Sequence, residues 1–213
     1  SWSFPQLGTA MALIMIGVFL LALLLLPSTR VQRSVDKPRE RLKLWRSYRP
    51  LLSRRNVHLL LGIRLTITSF WGMATLVLPL LVYRASQSAS TAAYYGAVSL
   101  AVAAACQLLT GLIRDRYGRT APLIVASLGI VVSAALLAGH TDSVTGLFIF
   151  GTALTATAWA VSTLIPALIA EVSQGDEKNR LIGLGHMVWS GSMVTGSIVG
   201  GILVEIGPHL PFV

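Results

Sequence analysis

The stretch GLIRDRYGRT, residues 111–120, places four charged side chains and two glycines between two long apolar runs. The run before it, residues 92–113, and the run after it, residues 121–139, are each long enough to cross a hydrocarbon core about 30 Å thick as a helix. A charged connection this short between two such runs must lie at a membrane surface. We call residues 111–120 the hinge sequence, and it predicts two antiparallel membrane-spanning helices.

The composition points to a membrane protein for the whole chain. Hydrophobic residues make up 54% of the 213 positions, charged residues make up 12%, and the mean hydropathy is +0.72. A soluble domain of this length is far less apolar. The net charge of +9 would favour a nucleic-acid partner in a soluble protein. Here the cations crowd into alternate connections between apolar segments, which indicates membrane topology and no nucleic acid.

Six apolar segments meet the requirement of about 20 residues for a membrane-crossing helix. None shows the alternation expected of a barrel strand, so helices are the only way to pair the backbone inside lipid. The predicted fold class is therefore all-α, a polytopic membrane helical bundle. The segments are residues 7–26, 57–83, 92–113, 121–139, 144–170 and 181–206.

The cations predict the orientation of these segments. They concentrate in the first, third and fifth connections, whereas the second and fourth hold only Arg84. By the positive-inside rule the odd connections are cytoplasmic and both chain ends lie outside the inner membrane. The predicted organisation is a leading helix in residues 1–27, a basic cytoplasmic linker in 28–56, and a five-helix bundle in 57–213.

The linker and the chain ends leave questions open. The linker mixes ten cations with aromatic residues, which favours either a segment on anionic lipid headgroups or a solvated, partly disordered connection. The chain begins at Ser1 without a basic leader and ends in GPHLPFV, so we expect an internal piece of a longer protein.

The lone Cys106 lies in an apolar run and is interpreted as a packing residue.

The hinge sequence closely resembles the signature of the major facilitator superfamily, commonly written G-x-L-A-D-R-x-G-R-K. The matching positions are Gly111, Asp115, Arg116, Gly118 and Arg119. Ile113 stands in place of leucine, Arg114 in place of a small residue and Thr120 in place of a basic one. A second resemblance covers the link between the last two segments, at Pro166, Glu171, Arg180 and Gly183.

The resemblance implies that the six segments correspond to the sixth to eleventh helices of a transporter. They would form the C-terminal half, built from inverted three-helix repeats, without its final helix and without the N-terminal half as partner. Assignment to the N-terminal half stays open, because both halves of the family carry related signatures.

A charge cluster is predicted on the cytoplasmic face. The resemblance implies that Asp115 helps to hold the transporter closed on this side, and that the cluster must break when it opens inward. The alternative is that these charges only anchor helix ends, since exposed pairs are worth about 0 to 1 kcal/mol each, and we favour it for Arg116. Gly111 and Gly118 are expected to permit the tight reversal between helices. The predicted gating residues are Gly111, Arg114, Asp115, Arg116, Gly118, Arg119, Glu171 and Arg180.

Polar side chains at helical spacing predict a substrate cavity. Arg64 is the formal charge deepest in a segment, and either contacts an anionic group or coupling carboxylate, or extends its long stem to the cytoplasmic surface. Tryptophans on the same faces either stack on a solute or serve packing. The fourth segment, 121–139, is nearly devoid of polar residues and suits lipid contact. The predicted cavity residues are Arg64, Thr68, Trp71, Thr75, Gln107, Thr155, Trp159 and His186.

Small residues in the last segment predict close helix packing. Ser192, Gly196 and Gly200 are spaced four apart, with Gly201 beside them, and such a face lets two helix backbones approach. The resemblance implies that this helix meets the opposite half. Ser197 stands where an antiporter signature of the family has proline, which leaves antiport unsupported.

The resemblance implies a secondary active transporter that moves a small solute by alternating access, with protons as the coupling ion. The sequence has no GxxxxGKS loop for ATP. His58, His140, His186 and His209 are too scattered for a metal or catalytic cluster, so we expect no enzyme, metal or cofactor. Expected partners are the solute, the lipid bilayer and the missing half. The alternative is a non-transporting scaffold or chaperone-like half-transporter.

Overall fold

The computed structural model describes residues 44–174 and 177–213, together with residues 9, 13, 15–17 and 19–21. The chain divides into two units, Ser1–Leu42 and Lys43–Val213. The described residues of the first unit are helical and lie within the predicted segment 7–26. The rest of the predicted leading helix, and the linker up to residue 43, lie outside the described residues.

The second unit consists of one short and five long helices. The long helices α2 to α6 are apolar enough to span a membrane, as the sequence predicts. In the part of the chain that the structure describes there is no strand, so the predicted all-α membrane fold is confirmed. The elements are α1 (Leu44–Leu52), α2 (Arg55–Ser86), α3 (Ala89–Tyr117), α4 (Thr120–Ala138), α5 (Val144–Val172) and α6 (Lys178–Ile206), followed by the 3-10 turn Leu210–Phe212.

Helix α1 lies inside the stretch predicted to be a solvated or lipid-bound linker. Its Leu51 is fully buried and packs with Val57 and Leu60 of α2, with the end of α5 and with Leu181 of α6. Tyr48 packs against the same cluster. Neither interpretation of the linker anticipated this contact. Residues 44–52 are therefore an ordered part of the bundle, held there by burial of apolar side chains.

The hinge sequence contributes only Gly118 and Arg119 to the connection itself, because α3 continues to Tyr117 and α4 begins at Thr120. Gly118 has φ of 76°, in the left-handed region that favours glycine, and its N–H donates to the carbonyl of Arg114 at 2.8 Å. The reversal predicted for Gly118 is confirmed. The prediction for Gly111 is wrong, because this residue lies within α3, where the chain does not turn.

Because successive long helices are antiparallel, one end of the bundle gathers the start of α2, the junction of α3 with α4, the end of α5 and the start of α6. We call this end, predicted to be cytoplasmic, the hinge end, and the opposite one the far end. Helix α4 exposes Ile124, Val125, Leu128, Val131 and Val132, which form the apolar surface to which the prediction of lipid contact applies.

Helices α2 and α6 approach closely through small residues. A Cβ atom added at Gly72 would lie 2.7 Å from the carbonyl oxygen of Met193, and one added at Gly196 would overlap the carbonyl oxygen of Ser69. The hydroxyl of Ser197 donates to the carbonyl of Gly72 at 3.1 Å. The structure thus confirms close packing of the predicted face at Gly196 and Gly200. It places that face against α2 of the same unit, whereas the resemblance implied contact with the opposite half.

Candidate functional site

A cleft between α2, α5 and α6 collects three tryptophans. The predicted stripe on α2 brings Arg64, Thr68 and Trp71 to one side of the cleft, because residues three and four apart share a helix face. The ring of Trp71 meets that of Trp159 edge-on, with centroids 4.7 Å apart, and that of Trp189 at 6.2 Å. We call the space lined by Arg64, Thr68, Trp71, Trp159, Ser162 and Trp189 the tryptophan cleft.

The tryptophan cleft is nearly filled by its own side chains. Its free volume is about 10 Å³, which is room for about one water molecule. Edge-to-face aromatic contacts of this kind stabilise by about 0.5–1.5 kcal/mol beyond the area that they bury. The contact between Trp71 and Trp159 thus occupies the space in which a larger molecule would have to lie.

A second, roomier cavity adjoins the tryptophan cleft on the side of the hinge end. Its volume is about 320 Å³, within the range of small-molecule pockets. Arg64 and Ser162 line both spaces, and the guanidinium of Arg64 donates to the hydroxyl of Ser162 at 3.4 Å. We call it the cationic cavity, and its polar lining is Arg64, Ser162, Lys178 and His186, with Ile165, Ile169 and Ile182 among the apolar walls.

Three predicted cavity residues line neither space. Thr75 is exposed and donates to the carbonyl of Trp71 at 2.8 Å, and Thr155 donates to the carbonyl of Gly151 at 2.9 Å. Such bonds to the preceding turn satisfy a hydroxyl within its own helix. The amide oxygen of Gln107 accepts from Thr163 at 3.5 Å, which joins α3 to α5.

Two lining residues of α6 were missed by sequence reasoning, and Ser162 of α5 is also absent from the predicted set. Trp189 lies one helical turn after His186, so that spacing could have identified it. Lys178 was interpreted only as one of the cations that orient the spanning segments. Nothing in a single sequence says that the first residue of α6 lines a cavity shared with Arg64 of α2.

At the hinge end, the structure joins Arg119 of the hinge sequence to Glu171 of α5 in an ion pair. Both side chains are about half exposed. Asp115 is exposed and forms no ion pair within residues 44–174 and 177–213, and the guanidinium of Arg116 lies 5.6 Å from the ring centre of Tyr117. The structure therefore brings Arg119 and Glu171 together in an ion pair that does not include Asp115.

A second ion pair at the hinge end was not predicted. Arg54, just before α2, donates to Glu177 at 2.5 Å, and the backbone N–H of Gln174 donates to the same carboxylate oxygen at 3.2 Å. The hydrogen bond from Arg54 lowers the pKa of the Glu177 carboxyl group, and the Gln174 N–H and the charge of Arg180 act in the same direction. The pair ties the start of α2 to the start of α6.

The Arg54–Glu177 pair should make stability depend on pH. Because the pKa of Glu177 is lower in the folded protein, its stabilising effect is complete above the ordinary glutamate value and is lost as pH falls through the lowered value. Thermal unfolding of wild type and Glu177→Gln, compared from about pH 7 to about pH 3, should show a difference that disappears at the acid end. An unchanged difference would contradict this assignment. Asn179→Asp is the control, because it adds a carboxylate at an exposed position nearby that is not paired with Arg54.

The far end carries an ion pair of its own, between Arg84 of α2 and Glu205 of α6. Both side chains are substantially exposed. Helices α2 and α6 are therefore joined by charges near both ends. In the described part of the chain, His, Cys, Asp and Glu nowhere cluster in threes that could hold a metal ion.

The sequence model of the Major Facilitator Superfamily matches residues 1–166 and 70–213, and the two matches together cover the chain. The chain belongs to this superfamily, and with its five described spanning helices it is a multi-pass membrane protein. No solved structure matches it.

Its relatives include tetracycline resistance proteins. It is 32% identical to the class C protein of Escherichia coli, over 66% of this chain and 36% of that protein. It is 27% identical to the class H protein of Pasteurella multocida, over 67% and 36%. It is 28% identical to the class B protein of Escherichia coli, over 66% and 35%. The chain thus matches about a third of the length of these curated relatives.

Proposed function

We propose that the chain is part of a secondary active transporter that moves a small solute across the membrane by alternating access. The observation that carries this proposal is the ion pair between Arg119 of the hinge sequence and Glu171 of α5, because it links two helices at the end where the superfamily signature lies. Family membership and the adjoining cleft and cavity support it.

The gate in this proposal consists of the two pairs at the hinge end. Arg119–Glu171 joins α4 to α5, and Arg54–Glu177 joins α2 to α6. An exposed pair such as Arg119–Glu171 is worth about 0 to 1 kcal/mol, so it shifts an equilibrium by up to about fivefold. Two such pairs bias the transporter toward closure at this end and still allow it to open.

For Asp115 we propose a gating role that differs from the one the resemblance implies, because of its position in this conformation. It is exposed, and in this conformation Glu171 is the carboxylate that pairs with Arg119. We propose that Asp115 competes for the arginines of the hinge sequence when the contact with Glu171 breaks. Its carboxylate would then stabilise the open state at the hinge end.

Protons are the proposed coupling ion, and the solute of the relatives supplies the first substrate to test. Three relatives are named tetracycline resistance proteins. Across the described spanning helices the carboxylates lie near helix ends, at Asp115, Glu171 and Glu205. A proton-carrying carboxylate deep in the membrane would therefore come from residues other than these helices.

Transport by reconstituted protein tests the proposal. The protein made from its full open reading frame is placed in liposomes, a proton gradient is imposed, and uptake of tetracycline and of panels of sugars and organic acids is measured. We expect uptake of at least one solute that is abolished by a protonophore. Protein-free liposomes are the control, and absence of uptake with every solute and either gradient direction would refute the transporter.

In the same assay, Asp115→Asn should lower uptake by up to about fivefold, the effect of removing one exposed charge pair from a two-state equilibrium. The amount of protein inserted in the membrane should not change, because Asp115 is exposed and not needed for packing. Asn179→Asp is the matched control at another exposed position. Uptake equal to wild type in Asp115→Asn would remove Asp115 from the gate.

A further inference from the structure

We infer that the cationic cavity and the tryptophan cleft together bind the carboxylate or phosphate group of an organic anion. As a statement about the substrate, this inference rests on the proposed function. The anion would lie between Arg64, Lys178 and His186, with its apolar part toward the isoleucines and tryptophans.

The charges around the cationic cavity favour an anion. Arg64, Lys178 and His186 line it, and among the residues that the structure describes no acidic side chain does. The carboxylates nearest to Lys178 and to the end of α5 in the sequence, Glu177 and Glu171, are paired with Arg54 and Arg119. Neither of these two carboxylates is therefore paired with Arg64 or Lys178, the two fixed cations of the lining. A cationic solute would be repelled here, and a neutral one would leave both charges unpaired.

Two buried hydrogen-bond donors point to the same ligand chemistry. The Nε of Arg64 and the Nε1 of Trp159 are buried and have no acceptor among the described residues. Both groups donate only, so an oxygen atom with free lone pairs is what would satisfy them. A buried donor without a partner costs about 1–3 kcal/mol. Both residues line the tryptophan cleft, so a ligand with oxygen atoms at this cleft would supply acceptors of the kind that both donors lack.

The position of Arg64 weighs against a purely structural role at the membrane surface. The residue lies about 14 Å along the helix from Arg55, at 1.5 Å per residue. Its guanidinium donates to Ser162 of α5, and its Nε is buried. A side chain that only extended its stem to the surface would keep its polar atoms in water.

The apolar walls narrow the class of anion. The cationic cavity holds about 320 Å³, and Ile165, Ile169 and Ile182 form much of its wall. Small aromatic or branched carboxylates match this combination of volume, apolar contact and charge. An anionic lipid headgroup presents the same oxygen chemistry, and a binding experiment can separate the two sources.

Calorimetric titration of the full-length protein in neutral detergent tests the inference. The probes are benzoate, its neutral isostere benzamide, and short-chain phosphatidylglycerol and phosphatidylcholine. We expect benzoate to bind and benzamide not to bind. Arg64→Gln should weaken benzoate by about tenfold to a hundredfold, the effect of losing a hydrogen bond to a charged group. Arg49→Gln, which removes an exposed charge outside the cavity, should change affinity by less than about twofold.

Lys178→Gln keeps the test decisive if Arg64→Gln does not fold, because Lys178 is exposed at the start of α6. Lys178→Gln should also lower the affinity for benzoate, by a smaller factor than Arg64→Gln. Binding of phosphatidylglycerol alone, sensitive to both variants, would support the anion site and assign it to lipid. Equal affinity for benzoate and benzamide, no binding of any anion, or no effect of either variant would overturn the inference. If the protein binds benzoate but takes up no solute, the proposed transporter function is refuted and the anion site stands. If it takes up a solute but binds no anion, the anion site is refuted and the transporter function stands.

Discussion

Replacing Gly196 with alanine is expected to lower the free energy of unfolding by about 1–3 kcal/mol, the range found when extra atoms are forced into a packed interior. The added methyl group would overlap the carbonyl oxygen of Ser69 and lie 2.9 Å from its Cα atom. These are backbone atoms of α2, so no side chain can turn aside to make room. The two helices would have to separate, and the bond from Ser197 to the carbonyl of Gly72 would lengthen.

Two other glycines of α6 provide matched comparisons for Gly196→Ala. At Gly191 a Cβ atom meets nothing within 4 Å, so Gly191→Ala should be neutral or stabilising, given the better helix propensity of alanine. At Gly200 the added atom meets mainly the side chain of Met73, which is flexible, so an intermediate loss is expected. Thermal unfolding in detergent measures all three. Equal midpoints for Gly191→Ala and Gly196→Ala would show that α2 and α6 do not approach this closely.

The helices themselves could be predicted from sequence, because a membrane requires long apolar runs and sorts cations by side. The predicted segments 57–83 and 144–170 became Arg55–Ser86 and Val144–Val172, each longer than predicted by a few residues at one or both ends. The extensions carry polar residues at helix termini, where hydropathy no longer marks the boundary. The prediction that Gly111 lies at the turn was wrong for a related reason. A glycine near a charged connection suggests a turn, although here the helix continues past it.

Contacts between helices were harder to predict. The stripe Arg64, Thr68 and Trp71 has a helical period and was found, but its partners Trp189 and Lys178 lie more than 100 positions away in the sequence. The same holds for Arg54 with Glu177. A period shows which residues share a face, and it does not show which helix that face meets. The small face of α6 illustrates this, since its spacing predicted close packing and did not identify α2 as the partner.

Reversing the charge of Glu171 should slow transport by roughly tenfold or more, and restoring the opposite charge at Arg119 should recover most of the loss. Glu171→Arg removes an exposed attraction worth up to about 1 kcal/mol and replaces it with a repulsion of similar size, about 2 kcal/mol in total. Closure at the hinge end would become less favourable by that amount. In the double variant Arg119→Glu with Glu171→Arg, the pair is rebuilt with its charges exchanged.

Uptake into liposomes by the two single variants and the double variant measures this coupling, and a double-mutant cycle isolates the pairwise interaction from the effect of each charge alone. Asn179→Arg adds a cation at the same end without breaking a pair, and should leave uptake nearly unchanged. Because both side chains of the pair are about half exposed, unfolding midpoints should barely move in any variant. Slow uptake in the double variant, equal to that of Glu171→Arg, would mean that Arg119 and Glu171 act separately and that their contact is not the gate. Recovery with unchanged stability would show that the pair controls the balance between conformations, since an interaction too weak to hold the fold together is still strong enough to shift two states of nearly equal free energy.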